Sequence, residues 1–167
     1  MTTLRTDLIE TISGKSLLRA TGSILQIVNS SYPDQVSQGI NVISTTSTTY
    51  VNTGLSATIK PLSSTSKLLI KVAANLRFNP ATGDGGVGFK IYRDGTAINT
   101  TNSADNFAYR STSPVNIHIQ AKCIQYINAN NTNSSIFEIY YRSYDGELAA
   151  ISFNWSTPTI TIMEIAA

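Results

Sequence analysis

Residues 45–72 read TTSTTYVNTGLSATIKPLSSTSKLLIKV, and this stretch decides the fold class. From Leu55 to Ile59, apolar and hydroxyl side chains alternate, which is the period of a half-buried strand. Residues 67–72 alternate again, with Lys67 and Lys71 on one side and aliphatic residues on the other. The segment between them contains Pro61 and a run of serines and threonine that breaks a strand. The stretch therefore predicts two antiparallel strands joined by a polar loop.

The same alternation recurs along the chain after residue 21 and predicts eight to ten strands in all. Breaker-rich segments at 79–86 and 128–135 separate the apolar runs, and Asp94-Gly95 between two such runs predicts a tight hairpin because both residues tolerate positive φ. No segment after residue 21 has a sustained helical period. We therefore expect an all-β fold, and an antiparallel jelly-roll sandwich is the most economical architecture.

Charge is scarce in this chain, at 13% of residues against about a quarter in average proteins. The net charge is only +2, and the basic residues are spread over the sequence. Neither a nucleic-acid stripe nor a membrane-binding patch is predicted from this pattern. Abundant threonine, isoleucine, valine and tyrosine suit the half-buried surface of a sheet.

Residues 1–21 differ from the rest and form the first of two predicted units, an anchoring arm before a head domain at 22–167. A short helix and an extended arm are both compatible with the pattern. The arm carries many hydrophobic side chains for a free tail, so we expect it to pack on other subunits or on a particle surface. These anchoring residues are Leu4, Leu8, Ile9, Ile12, Leu17 and Leu18.

Two features of the chain predict the cellular compartment in which it is made. Charged residues interrupt every apolar run of the arm, so neither a signal peptide nor a membrane span is predicted. Cys123 is the only cysteine, so no intrachain disulfide forms, and synthesis in a reducing cytoplasm is expected.

Four motifs carry a resemblance to a known group of proteins: TTYVNTGL at 48–55, SKLLIKV at 66–72, KIYRDG at 90–95 and ITIMEI at 160–165. This set resembles small virion proteins and fibre heads of tailed bacteriophages, especially those of aquatic bacteria and cyanobacteria. The resemblance implies a homotrimeric jelly-roll head like those of tumour-necrosis-factor-type domains, and it brings no catalytic residue. In such trimers, residues on one sheet face meet about the axis, which makes Phe89 and Tyr140 candidates for the trimer interface.

Three features that could indicate a cofactor, metal or catalytic site have simpler structural interpretations. Residues 83–88 match G-x-G-x-x-G, but a strand pattern follows them where a dinucleotide site needs a helix. His118 is the only histidine and is predicted on the polar face of a strand, without ligands at zinc spacing. Cys123 lies within strand alternation among apolar neighbours, which predicts a buried small side chain.

Carboxylates do not form a recognisable site either. Glu138 and Glu164 lie within predicted strands, and the loop aspartates miss the frame of a calcium loop. We therefore expect no catalytic residue, no cofactor and no metal site.

The sequence thus predicts a non-enzymatic structural protein on a virion surface, made in the host bacterial cytoplasm. As a decoration or cement protein, the trimer would sit on the capsid with its arms across the major capsid protein. In the alternative, a tail fibre or tail tip presents the same knob to the host and recognises a surface protein or glycan. The short arm favours decoration, whereas the resemblance leans toward fibre heads.

Overall fold

The computed structural model describes residues 21–32, 43–79, 85–98, 105–111, 117–151 and 157–167. These residues form an all-β fold of antiparallel strands without a helix, as predicted. In the same ranges there is accordingly no helix of the length and apolarity that crossing a bilayer requires. The strands are β1 (Ile24–Ser31), β2 (Ile43–Thr45), β3 (Val51–Ile59), β4 (Lys67–Asn79), β5 (Gly85–Arg93), β6 (Thr96–Ala97), β7 (Phe107–Ser111), β8 (Ile117–Asn128), β9 (Ser135–Ser143), β10 (Leu148–Ile151) and β11 (Thr159–Ile165).

Two sheets make up the sandwich. In the six-stranded sheet I, β4 is central: β8 pairs along one side of it, while β11 and then β10 pair along the other. Strand β1 lies outside β11, and β2 lies outside β10. The five-stranded sheet II has the order β3-β9-β5, with β6 and β7 sharing the far side of β5. The antiparallel β-sandwich is therefore established, and the jelly-roll connection pattern stays a prediction.

The core between the sheets follows from strand alternation. Leu55, Ala57 and Ile59 of β3 are buried while their neighbours are wholly or partly exposed, and β9 and β11 show the same period. The largest buried rings are those of Tyr141, Phe78, Phe89 and Phe137. Burial raises the pKa of Tyr141 to about 12, and the neighbouring Tyr32 adds to this effect.

The two strands of the 45–72 stretch are present, but they do not pair with each other. Strand β3 pairs with β9 in sheet II, whereas β4 pairs with β8, β10 and β11 in sheet I. Residues 60–66 thus cross from one sheet to the other at an end of the sandwich. In this arrangement the apolar sides of β3 and β4 both point toward the core. A hairpin would also place them on one side, so local alternation alone does not distinguish the two arrangements.

The predicted hairpin at Asp94-Gly95 is confirmed. Asp94 has φ of 50° and Gly95 has φ of 79°, and the flanking Arg93 and Thr96 are paired. Two successive residues with positive φ are characteristic of the type I′ turn, which matches the twist of the strands it joins.

Candidate functional site

The first strand has an irregularity that changes which side chains reach the surface. The register of β1 against β11 shifts between Ile24 and Gln26, so a β-bulge interrupts simple alternation there. As a result, Ile24 and Ile27 are both exposed, at 54% and 56% of their surface. Two large aliphatic side chains in one strand are therefore accessible to a partner.

These side chains belong to an apolar surface that crosses sheet I from edge to edge. The register places Ile27 opposite Met163, Met163 opposite Leu69, and Leu69 opposite Tyr126, so one row spans β1, β11, β4 and β8. We call this surface the apolar face. Its members are Ile24, Ile27, Leu69, Ile124, Tyr126, Met163 and Ile165.

Two members at the far edge are as accessible as the isoleucines of β1. Ile124 and Tyr126 of β8 expose 62% and 55% of their surface. Soluble monomers rarely expose large contiguous apolar patches, and patches rimmed by polar residues mark interaction sites. The apolar face is therefore the strongest candidate for a binding surface in the described residues.

Basic side chains share the outer surface of sheet I with the apolar face. Lys67, Lys71 and Arg77 alternate with the buried residues of β4, and Lys122 lies on the neighbouring strand β8. The sequence shows these residues as scattered, but strand alternation places them on one surface. Among the described side chains of β4 and β8 there is no carboxylate, so a partner with acidic groups would complement this surface.

Glu164 fixes the end of the sandwich next to the apolar face. Its carboxylate is fully buried under the crossing segment 60–66 and accepts hydrogen bonds from the backbone N–H groups of Leu62 and Ser63, at 2.8 and 3.1 Å. The Ser66 hydroxyl and the Gln26 amide, at 2.6 Å, also donate to it. Burial acts to raise the pKa of Glu164, but these donors outweigh burial and hold the pKa below its ordinary value.

A partly buried polar cluster lies on the outer side of sheet II. The Arg142 guanidinium lies 4.9 Å from the centre of the Tyr50 ring and 3.4 Å from a carboxylate oxygen of Asp105, which also accepts a hydrogen bond from the Tyr144 hydroxyl. Lys90 approaches the Tyr50 ring as well, at 4.5 Å. Burial and the nearby Arg142 charge both lower the pKa of Lys90.

Three buried atoms of this cluster have no hydrogen-bond partner among the residues that the structure describes: the Tyr50 hydroxyl, Asp105 Oδ1 and Arg142 Nε. Most buried polar atoms in proteins are hydrogen-bonded, so such atoms are where a water molecule binds. Gly88 permits the arrangement, because a Cβ at this position would lie 2.6 Å from an oxygen of Asp105.

The sequence-predicted interface residues lie in different environments. Phe89 is completely buried, with its ring stacked on Phe107 at 5.4 Å, so it presents no surface to a partner and is not part of the apolar face. Tyr140 is half-buried on the outer side of sheet II, where its ring contacts Tyr92 at 4.3 Å. A role for Tyr140 between subunits stays a prediction.

Other predicted residues behave as expected, or fall in parts of the chain that are not described. His118 is exposed on β8, and Cys123 is buried, where burial raises its thiol pKa against a weaker effect of Gln125. Gly88 belongs to strand β5, as predicted. Gly85 and Gly86 also belong to β5, because they pair with Ser111 and Arg110 of β7, so the prediction of a breaker segment over 79–86 is wrong for these two residues. The six arm residues, Leu4, Leu8, Ile9, Ile12, Leu17 and Leu18, lie outside the described residues.

Metal binding receives no support in the described ranges, which contain no group of three histidine, cysteine or acidic residues placed to hold an ion. Comparison with protein-family models and with curated protein sequences finds no match to this chain. Its function is therefore argued from the apolar face and from the sequence resemblance.

Proposed function

We propose that this chain is a non-enzymatic structural protein of a bacteriophage particle, and that three copies form a surface knob that decorates and stabilises the capsid. The observation that carries the proposal is the apolar face, whose most exposed members lie at both edges of sheet I. The phage setting is supported by the sequence resemblance, whose motifs occupy β3, β4, β5 and β11.

A second copy of the chain is the partner that we propose for the apolar face. The row from Ile27 to Tyr126 crosses four strands and spans about 14 Å at the usual strand spacing. A single added strand is too narrow to cover such a surface, whereas the side of another sandwich is wide enough. Covering it removes large aliphatic and aromatic side chains from water, which favours association by roughly 25 cal/mol per Å² of apolar area.

Charge favours a cyclic trimer over a face-to-face dimer. A two-fold contact would place the same patch of both subunits together and bring Lys67 and Lys71 near their own copies. In a cyclic trimer, the apolar face of one subunit meets a different surface of the next. Exposed carboxylates for such a contact are available at sheet II, on Asp94 and Asp145.

The arm at residues 1–21 is proposed to hold the trimer on other virion proteins. It joins the sandwich directly before β1, beside Ile24 of the apolar face. Deleting residues 1–21 is expected to leave a soluble trimeric head that no longer joins the particle. Unchanged incorporation of the shortened chain would contradict the anchoring role.

Location on an intact particle tests the proposed function. Antibody or gold labelling of the head surface is the result expected for a decoration protein. Labelling confined to the tail tip would contradict the decoration role and support the receptor-binding alternative. Absence from purified particles would contradict both placements.

A further inference from the structure

A groove of about 430 Å³ opens at the side of the sandwich, where residues of β4 and β8 in sheet I approach the β5–β6 hairpin of sheet II. This volume lies within the range of small-molecule sites, roughly 300–1,000 Å³. The groove shares only Tyr126 with the apolar face. Its chemistry differs from that of the apolar face, because cations and amides line it together with Ile98, Ile127 and Tyr126.

Arg93 supplies a fixed positive charge in this groove. Its guanidinium donates to the backbone oxygens of Asn128 and Ala129, at 3.1 and 2.6 Å, and twice to the Ser135 hydroxyl. An arginine side chain has five N–H donors, so these four bonds leave one on Nη1 for a ligand. A donor held in this way loses little freedom when it binds an anion.

Lys67 is the second cation of the groove. Its ammonium group donates to the side-chain oxygen of Asn128, which holds it at the groove and leaves two further N–H donors. The described residues that line the groove include no carboxylate, although Arg93 forms an ion pair with the exposed Asp94 of the adjacent turn, at 3.8 Å from Nε. Two cations without a carboxylate in the lining favour an anionic ligand.

The remaining polar residues favour a ligand that also carries hydroxyl groups. Asn128, Asn130 and Thr96 provide amide and hydroxyl groups that both donate and accept hydrogen bonds. Tyr126, which exposes 55% of its surface, adds an aromatic ring to the lining. A flat aromatic ring can pack against the C–H groups of a sugar ring, while the neighbouring amides hydrogen-bond to its hydroxyl groups.

We propose that this groove binds a sugar acid, with the carboxylate at Lys67 and Arg93, the hydroxyl groups at Asn128 and Asn130, and the sugar ring against Tyr126. Such a residue occurs free or at the end of an acidic polysaccharide, and both sources present the same chemistry to the groove. Every lining residue belongs to one subunit. Tyr126 is also a member of the apolar face, so the groove is open in the trimer only where the neighbouring subunit leaves this ring uncovered.

Titration of the full chain with D-glucuronate, followed by calorimetry or by NMR shifts of labelled protein, tests this assignment. We expect saturable binding of D-glucuronate, and binding at least about tenfold weaker for D-glucose, which lacks the carboxylate, and for acetate, which lacks the hydroxyl groups. A short glucuronate-ended oligosaccharide that binds more tightly than the monosaccharide would identify the polysaccharide source. Equal affinity for the oligosaccharide and the monosaccharide would identify the free sugar acid as the ligand.

Matched variants locate the site. Lys67→Ala should weaken D-glucuronate binding about tenfold, because it removes a charge-assisted hydrogen bond. Lys71→Ala is the control: this exposed lysine lies on the same strand but outside the groove, so affinity should stay within about twofold. Asn130→Gly should also weaken binding, and it keeps the backbone unstrained because Asn130 already has φ of 68°.

Three results would overturn the proposal. The first is no saturable binding of D-glucuronate by the folded chain. The second is binding that Lys67→Ala and Asn130→Gly leave unchanged. The third is equal binding of acetate, because a simple anion site needs neither the amides nor Tyr126. Sedimentation reports the oligomeric state separately from these titrations, so failure of sugar-acid binding is distinguishable from failure of the proposed function.

Discussion

Glu164 shows how a single buried charge can hold two sheets together. Sheet I contributes the carboxylate from β11, and the donors come mainly from the segment that crosses over from sheet II. Replacing a hydrogen-bonded carboxylate leaves its buried donors without a charged acceptor, which is costly in a protein interior. The position of this segment therefore depends on one side chain.

Glu164→Gln should lower the free energy of unfolding at pH 7 by about 1–3 kcal/mol, as expected when buried donors lose their charged acceptor. Urea denaturation measures this change. Glu138→Gln is the matched control, because this strand carboxylate is partly exposed and accepts a hydrogen bond from Asn52. Equal stability of Glu164→Gln and the native chain would contradict the structural role of Glu164.

The lowered pKa of Glu164 also predicts the direction of a pH effect. A folded-state pKa below the ordinary glutamate value of about 4.3 contributes stability above that value and loses it as the pH falls through the folded-state pKa. The native chain should therefore lose more stability than Glu164→Gln between neutral and strongly acidic pH. Parallel acid profiles of the two proteins would show that Glu164 is not the linked group.

Gly88 is predicted to be essential for close packing on the outer side of sheet II. Gly88→Ala places a methyl group 2.6 Å from a carboxylate oxygen of Asp105, whose position is restricted by Tyr144 and Arg142. Overpacking of this kind costs about 1–3 kcal/mol, which thermal unfolding would detect. The loss of stability caused by Gly88→Ala should be smaller when Asp105 is also replaced by alanine. An equal loss in the Asp105→Ala protein would mean that the added methyl group clashes with a different residue.

At the scale of elements, β1 shows why the apolar face was not predicted from the sequence. The run from Ile24 to Val28 predicts a strand, and a strand is present. Regular alternation places residues three apart on opposite faces, so it does not bring Ile24 and Ile27 to one surface. The bulge between Ile24 and Gln26 does so, and a bulge depends on pairing with β11 that no local pattern specifies.

Strand β1 also carries the test of the apolar face. Ile27→Asp places a charge within the proposed contact and should prevent association while the fold is kept, because Ile27 is already exposed. Leu62→Asp is the control: Leu62 is similarly exposed, at 52%, but lies in the segment outside the face. Light scattering should report smaller particles for Ile27→Asp only. The same mass for both variants would exclude the apolar face as the interface.

Strand pairing marks the limit of sequence-based prediction at the scale of the whole molecule. Alternation identified β3, β4, β5, β8, β9 and β11 because each of them has one face against the core. It could not show that β3 and β4 belong to different sheets, since both arrangements bury the same side chains. The groove was missed for the same reason: Lys67, Arg93 and Asn130 are distant in sequence and meet only through sheet packing.

We propose that copies of this chain assemble by burying the apolar face. Sedimentation equilibrium of the full chain over a range of concentrations tests it most directly. The expected particle mass is three times the 18.0 kDa of one chain. A mass that stays at that of one chain at every concentration would contradict the assembly of the knob.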